Sequence, residues 1–404
     1  IASGYFVPTV LILAVITALA WFNLGFSAGM ILVASMTVLV IACPCALGLA
    51  APISVIVGMG KSAEYGILIR NGEALQKASQ LTTIVLDKTG TITQGRPEVI
   101  EQVAVEGAAL ETELIQLAAS LEQGSEHPLA EAILTKAKQE KIKLLKVQDF
   151  KAITGMGIQA TLKQEQIIFG NAKFMQSQAV LIEHVETQAK KMMTLGHTPL
   201  YLAKGSKLLG VISVADPVKP DAAATVKHLQ KMGLQVRMLT GDNHKTAEAV
   251  AKQVGITEVL ADVLPENKAE AIIKLQQQHE VVAMVGDGIN DAPALAQADV
   301  GFAIGAGADI AIESADITII SNSIVGVVNA ILISKATMRN IKQNLFGAFI
   351  YNSVGIPVAA GVLYPLIGVL LNPMIAGAAM AASSLTVVSN ANRLRLFKIK
   401  EQVK

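Results

Sequence analysis

Three acidic residues sit on short polar loops, each following an apolar run. Asp87 closes LTTIVLD and opens DKTGT, while Asp287 and Asp291 stand four residues apart in GDGINDAP. A carboxylate attacks a phosphoryl group when cations and fixed donors offset the negative charge of both partners. Carboxylates gathered at one point also hold Mg2+ through hard oxygen atoms. Two further loops bring what such chemistry lacks. TGDN, residues 240–243, supplies the Thr240 hydroxyl and backbone N–H groups where a helical pattern begins, which makes an anion site. Lys268, in LPENKAEAI, supplies a cation to balance a transferring phosphate. DKTG alone is more often a surface loop after a strand. Four such pieces in this order point instead to phosphoryl transfer.

A second group of residues suits a different task. The only two cysteines, Cys43 and Cys45, flank Pro44 in the uncharged stretch IACPCALGLA. Thiolates select soft ions: Cu(I), Ag(I) and, at the border, Zn(II). Buried cysteine is commonly an inert core residue. Pro44, however, breaks a helix and leaves backbone groups in need of partners, and kinks of this kind build ion sites at mid-depth in membranes. Two cysteines so close build no disulfide framework, and a cytoplasmic setting keeps thiols reduced. Residues 1–60 and 343–392 contain no Asp, Glu, Lys, Arg or His. A divalent ion crossing hydrocarbon calls for a compensating carboxylate, and none is present there. Those segments offer Tyr351 and Asn352 in AFIYNSVGIP, and Met380 with Ser383 and Ser384 in GAAMAASS. Thiolates, a thioether and a neutral amide suit a monovalent soft ion. The competing reading makes Met380 core filler and Asn352 and Ser384 interhelical hydrogen bonders.

These residues need elements to hold them. β-rich runs alternate with helical patterns such as HKTAEAVAKQVGI, which predicts a doubly wound parallel α/β sheet with ligands at the carboxyl ends of its strands. Every sharp polar motif falls at such an end. Residues 99–212 differ, with helical periods followed by short strand-like pieces, and read as an inserted α+β domain. TQGRPEV and VADPVKP are its hinges, since proline fixes the backbone. The apolar ends hold two spans each, near 5–26, 30–59, 345–364 and 367–389, at about 20 residues per span. The layout is therefore a membrane helical bundle (1–60 and 331–392), a helical connector at the membrane surface (61–80), a phosphoryl-transfer domain (81–98 and 213–330), the insert and a tail (393–404). Lys61, Arg70, Arg339, Lys342, Arg393 and Arg395 border the spans, which places the middle block and the tail in the cytoplasm. A signal peptide is the weaker reading of the N-terminus, which has no basic n-region and too long an apolar stretch. The net charge of +1 gives no ground for a nucleic-acid partner.

Taken together, these motifs resemble P-type ATPases, whose phosphorylation domain is haloacid-dehalogenase-like, and the resemblance runs through essentially the whole chain. It implies that ATP phosphorylates Asp87 and that Asp87, the Thr89 carbonyl and Asp287 hold Mg2+. It also implies that Thr240 and Lys268 contact the phosphate and that Asn290 and Asp291 support the site. Lys88, Gly241 and Asp242 belong to the same catalytic loops. Phosphatases of the superfamily usually carry a second acid two positions after the nucleophile. Thr89 stands there instead, which favours a persistent acyl phosphate and hence a pump. The spacing of Glu122, His127, Gly155, Gly157, Gly170 and Asn171 resembles the adenine and ribose contacts of the heavy-metal subgroup. CPCALGLA is that subgroup's signature, and YN followed by M-x-x-S-S resembles its copper transporters. The resemblance thus implies Cu(I), with Ag(I) as surrogate, held by Cys43, Cys45, Tyr351, Asn352, Met380 and Ser384. It implies a multi-pass plasma-membrane exporter served by a cytoplasmic copper chaperone. The family's TGE actuator loop does not occur in the sequence. The chain is therefore expected to be the C-terminal part of a pump, lacking the actuator domain and earlier helices and unable to complete turnover alone. A Zn(II) or Cd(II) pump and a membrane-anchored aspartyl-phosphate phosphatase or phosphotransferase remain the alternatives.

Overall fold

The computed structural model describes residues 2–125, 128–153, 155–242, 244–287, 289–305 and 313–399. The chain divides into two units, one built on residues 81–328 and one joining residues 1–80 to 329–402.

In the 81–328 unit, six parallel strands lie in the order Ile317–Ile319, Val300–Ile304, Val282–Gly286, Thr83–Asp87, Gln235–Leu239, Glu258–Leu260. Thr83–Asp87 is interior to this sheet and buried along its whole length. Such strands read as continuous apolar runs because helices cover both faces. The helices Lys268–Gln276 and Ala292–Gln297 pack Ile272, Leu275 and Leu295 against Val85, Val282 and Met284. Parallel pairing sends all six carboxyl ends the same way, so the loops after residues 87, 239 and 286 converge.

The insert is a six-stranded antiparallel sheet: Glu98–Ala104, Lys207–Ala215, Thr198–Lys204, Glu165–Gly170, Gly157–Leu162, Gln148–Ile153. The helices Glu111–Glu122 and Pro128–Gln139 bury Leu114, Leu117, Ala132 and Ile133 with Ile158 and Phe169. A second cluster gathers Phe174, Met175, Ala189 and Met192 with Ile168 and Val211. The sheet begins at Glu98 and continues to Ala215, beside the expected domain limits of 99 and 212, and its two crossings lie in TQGRPEV and VADPVKP. There Thr93 bridges to Val218, and Gln94 N–H donates to the Pro217 carbonyl at 2.9 Å. Asp216 ties the two crossings together. It accepts the Thr93 hydroxyl at 2.5 Å and the Gly95 and Arg96 N–H groups at 3.1 Å each.

The other unit departs from the expected spans in three ways. The second span is two helices, Ala28–Ile41 and Cys45–Glu64, because the chain breaks at Ala42–Pro44. The helix Val325–Ala359 starts well before the apolar stretch does, since a helix can run from a polar into an apolar environment without interruption. The connector is not one continuing helix. Gly66, at φ +69°, ends it, and a short strand Ile67–Ile69 precedes the helix Gly72–Ala78, whose N-cap Asn71 accepts from Ala74 N–H at 2.8 Å. By length and hydropathy, Phe6–Asn23 and Pro373–Leu396 are long and apolar enough to cross a membrane, with mean hydropathies of 2.0 and 1.4. The expectation of free thiols is also corrected. The structure joins Cys43 to Cys45 in a disulfide, the break at Pro44 leaving their Cα atoms 5.5 Å apart, within the range a disulfide spans.

Candidate active site

Asp87 is the last residue of an interior strand, and burial comes with that position: it is 5% exposed. Lys268 opens the helix Lys268–Gln276 and reaches back across the sheet ends. Its ammonium donates to Asp87 Oδ1 and to Asp291 Oδ1, both at 2.6 Å. Asp291, 2% exposed, is the N-cap of Ala292–Gln297. Asp287 follows the strand Val282–Gly286 and lies against the turn after Asp87. That turn depends on Gly90 at φ +73°, where a Cβ would fall 1.6 Å from Asp287 Oδ2. No other residue fits.

Oxygen atoms of Asp87, Asp287 and Asp291 all lie within 4.8 Å of one another. Burial, then the Asp291 carboxylate, push Asp87 up to about 7, against the downward pull of Lys268. Burial and Asp291 raise Asp287 as well. For Lys268, burial pulls the ammonium's pKa down, but Asp87 and Asp291 outweigh it and leave it raised, so this cation keeps its proton. The cluster is therefore short of positive charge. A hard-oxygen donor set with a charge deficit, formed by Asp87, Asp287 and Asp291, fits a divalent cation such as Mg2+.

Thr240 is 3% exposed, and its Oγ accepts from Asp242 N–H at 3.1 Å. Asp242 in turn pairs with Lys88 at 2.6 Å, which links the second loop to the first. Gly241, Thr89 and Asn290 are exposed. The structure therefore brings Asp87, Lys268, Asp287 and Asp291 into one cluster and ties the Thr240 loop to it through Lys88.

Residues 81–299 match the haloacid dehalogenase-like hydrolase family. The catalytic domain of the CPx-ATPase CopB-B is 30% identical, covers 68% of this chain, is itself 98% covered and superposes with a TM-score of 0.53. The chain belongs to the P-type ATPases of that family. A copper-exporting P-type ATPase of Vibrio cholerae is 51% identical over 399 residues, 98% of this chain and 43% of that protein. One from Staphylococcus aureus (strain MW2) is 50% identical over 407 residues, 100% of this chain and 49% of its own length. The structure of a zinc-transporting PIB-type ATPase in its E2·Pi state gives a TM-score of 0.86 at 32% identity, covering 96% of this chain and 62% of that one. The chain spans about half the length of the two copper-exporting relatives.

In this P-type ATPase, Lys219 is a site residue that sequence reasoning passed over, VADPVKP having been read as a hinge. It is 5% exposed, and its ammonium donates to the Gly90 carbonyl at 2.5 Å and to Asn322 Oδ1 at 2.7 Å. Burial lowers its pKa, opposed by Asp221, Asp287 and Asp216. A lysine between two prolines, on the return crossing from an insert, was the available signal.

The insert holds a cavity of about 410 Å³ lined by Glu122, Gly155, Gly157, Gly170 and Asn171 among others. Five of the six expected nucleotide residues thus meet there, and His127 lies outside the described residues. The glycines allow close backbone approach. A Cβ on Gly157 would meet the Phe169 carbonyl at 2.3 Å, and one on Gly170 the Met156 carbonyl at 2.3 Å. Asn171 is occupied structurally: it donates to the Gly155 carbonyl at 2.8 Å and caps the next helix by accepting from Phe174 N–H at 3.0 Å. Glu122 is 6% exposed, and its Oε2 has no hydrogen-bond partner among the described residues. Burial raises its pKa, partly offset by a hydrogen bond with Ser125.

Of the residues expected to hold the transported ion, Cys43 and Cys45 stand at the break between Ala28–Ile41 and Cys45–Glu64. Tyr351 and Asn352 lie on Val325–Ala359, and Met380 and Ser384 on Pro373–Asn392, which packs against both halves of the broken span. Asn352, Met380 and Ser384 are half-buried and Tyr351 is 43% exposed.

Proposed function

We propose that this chain carries the phosphorylation, nucleotide-binding and ion-site parts of an ATP-driven Cu(I) exporter of the plasma membrane, with Ag(I) as a surrogate ion. The observation that carries the catalytic half is the buried Asp87, charge-paired to Lys268 inside a ring of acids. Asp87 attacks the γ-phosphorus of ATP in line with the leaving ADP, and an acyl phosphate forms as the γ–β bridging bond breaks. Lys268 and the Thr240 hydroxyl hold the phosphoryl oxygens, and the clamp of Lys219 on Gly90 fixes the turn that carries Thr89. Mg2+, when bound, neutralises the phosphoryl oxygens that the acids would otherwise repel. Thr89 offers no acid or base to hydrolyse the product, so the phosphate persists to drive transport. A phosphatase reading runs against this position.

The ion half of the proposal rests on the carboxylate-free spans and on the copper transport named for the relatives at about half identity. The zinc-transporting structure is closer in coordinates than in sequence. A disulfide has no thiolate to offer a metal, so Cys43 and Cys45 act as ligands in the reduced pair. In the parent pump the ion arrives from a cytoplasmic chaperone, and an actuator domain completes the cycle. The test is phosphoenzyme formation from γ-labelled ATP in membranes, under reductant, with Cu(I) varied. We expect an acid-stable, hydroxylamine-sensitive phosphoprotein whose level depends on Cu(I), and loss of that dependence in Cys43→Ser/Cys45→Ser. A phosphoprotein indifferent to Cu(I), and unchanged by the serine pair, would sink the copper reading.

Glu122 yields a separate prediction. A neutral carboxylic acid presents an O–H donor beside a carbonyl acceptor, which matches adenine's N1 acceptor and N6 donor. The raised pKa favours that neutral form, so ATP affinity should fall as pH rises through the Glu122 pKa. Glu122→Gln keeps a donor–acceptor pair and should bind ATP with that pH dependence removed. Glu122→Ala should lose about tenfold in affinity. Calorimetric titration with ATP from acid to alkaline pH checks all three. A glutamine variant as weak as the alanine variant would refute the pairing.

A further inference from the structure

The helices Cys45–Glu64, Val325–Ala359 and Pro373–Asn392 share a chain of side-chain hydrogen bonds that none of the chemistry above uses. Ser54 Oγ lies 2.9 Å from Asn340 Oδ1 and accepts from Asn344 Nδ2 at 3.0 Å. Asn344 Nδ2 also lies 3.2 Å from Asn340 Oδ1. Asn390 Nδ2 donates to Asn344 Oδ1 at 2.8 Å, and Asn340 Nδ2 donates to the Asn390 carbonyl at 2.8 Å. Arg393 ends the chain, donating to Asn390 Oδ1 at 2.9 Å. Ser54, Asn340 and Asn344 are 0%, 6% and 3% exposed.

Every one of these groups would be costly to bury alone, so each makes the position of its partner matter. One bond between two helices is ordinary membrane glue. Here the bonds form a closed circuit through Asn340, Asn390 and Asn344, with Ser54 bound to two of its members, so no helix can slide without breaking several bonds together. The three helices tied are the ones that carry Cys45, Asn352, Met380 and Ser384. Asn344 precedes Asn352 by eight residues, Ser54 follows Cys45 by nine and Asn390 follows Ser384 by six, about 9–14 Å along the three axes at 1.5 Å per residue. The circuit is too distant to touch the ion and near enough to fix where its ligands stand.

We propose that Ser54, Asn340, Asn344 and Asn390 are positioning residues for the ion site: they lock three ligand-bearing helices in one register and thereby set the site's affinity. This rests on the Cu(I) reading proposed above. The experiment titrates free Cu(I) against phosphoenzyme level in membranes containing the wild-type chain, Ser54→Ala, Asn344→Leu, the double variant and Thr337→Val. Thr337 is buried on the same helix, and among the described residues its hydroxyl bonds within that helix, donating to the Ile333 carbonyl at 2.9 Å. We expect the Cu(I) concentration at half-effect to rise about tenfold in each network variant, as when groups that orient metal ligands are removed. The double variant should do no worse than the poorer single, because one circuit is broken once. Apparent ATP affinity and the maximal phosphoenzyme level should stay at wild-type values, and Thr337→Val should match wild type throughout. An unshifted half-effect in Ser54→Ala and Asn344→Leu overturns the proposal, as does an equal shift in Thr337→Val or a parallel loss of ATP affinity. If wild type itself ignores Cu(I), the copper reading fails first, and this inference falls with it.

Discussion

Asp87→Asn abolishes phosphoprotein formation from ATP, by at least about a thousandfold, while the catalytic unit stays folded. The amide is uncharged and a poor nucleophile, so no other group in the cluster replaces it. Asp291 and Asp287 flank the position, but neither ends the interior strand that aims Asp87 at the converging loops. The fold survives because Lys268 keeps Asp291 at 2.6 Å and is not left as a buried lone cation. Without metal the variant should in fact be more stable. The folded pKa of Asp87 is raised from 3.8 to about 7, so ionising it costs stability as pH rises through that window. Removing the charge at neutral pH returns on the order of 1 kcal/mol or more. Labelling with γ-labelled ATP checks the first claim, and calorimetry at pH 7.5 without Mg2+ checks the second. A melting temperature several degrees below wild type would contradict the account of crowded charge.

Gly90→Ala is the second large effect, and it removes no functional group at all. The added methyl meets Asp287 Oδ2 at 1.6 Å, and the backbone there is left-handed at φ +73°. The strain alone costs about 1–2 kcal/mol. Relief requires moving either Asp287 or the turn, and the turn is fastened by Lys219 through the Gly90 carbonyl. Asp287 therefore swings out of the acid cluster. We expect phosphoenzyme below about one part in a hundred at ordinary Mg2+, partly restored by raising Mg2+. ATP binding to the insert should be unaffected. Wild-type phosphorylation in Gly90→Ala would show that Asp287 has no fixed place in the reaction.

The parallel sheet was legible because its strands are short apolar runs ending in polar loops, and that ordering follows from burial on both faces. Asp87, Lys268, Asp287 and Asp291 could be selected because their types suit one reaction and their loops converge on one edge. Gly90 and Lys219 were not legible in the same way. A glycine's φ and its nearest carboxylate depend on how loops meet, and Lys219 matters through a carbonyl far from it in sequence. Hydropathy misjudged the start of Val325–Ala359 for a simple reason. It reports where charges stop and not where hydrogen bonding along a backbone begins. The same limit hid the amide circuit, since Ser54, Asn340, Asn344 and Asn390 are unremarkable letters until three helices bring them together. Pro44 announced a kink, and the structure shows a complete break between two helices.

The double crossing pinned by Asp216 has a consequence for how this machine moves. Two separate strands leading into the insert would let it wobble and twist independently of the sheet. Fastened to each other by the Thr93 hydroxyl and the Gly95 and Arg96 amides, they act as a single pin. Fastening two crossings to each other stiffens the base of the insert against twisting, because neither crossing can turn without breaking bonds to the other. The pin reaches the nucleophile's loop directly, since the Thr93 backbone N–H donates to the Lys88 carbonyl at 2.9 Å.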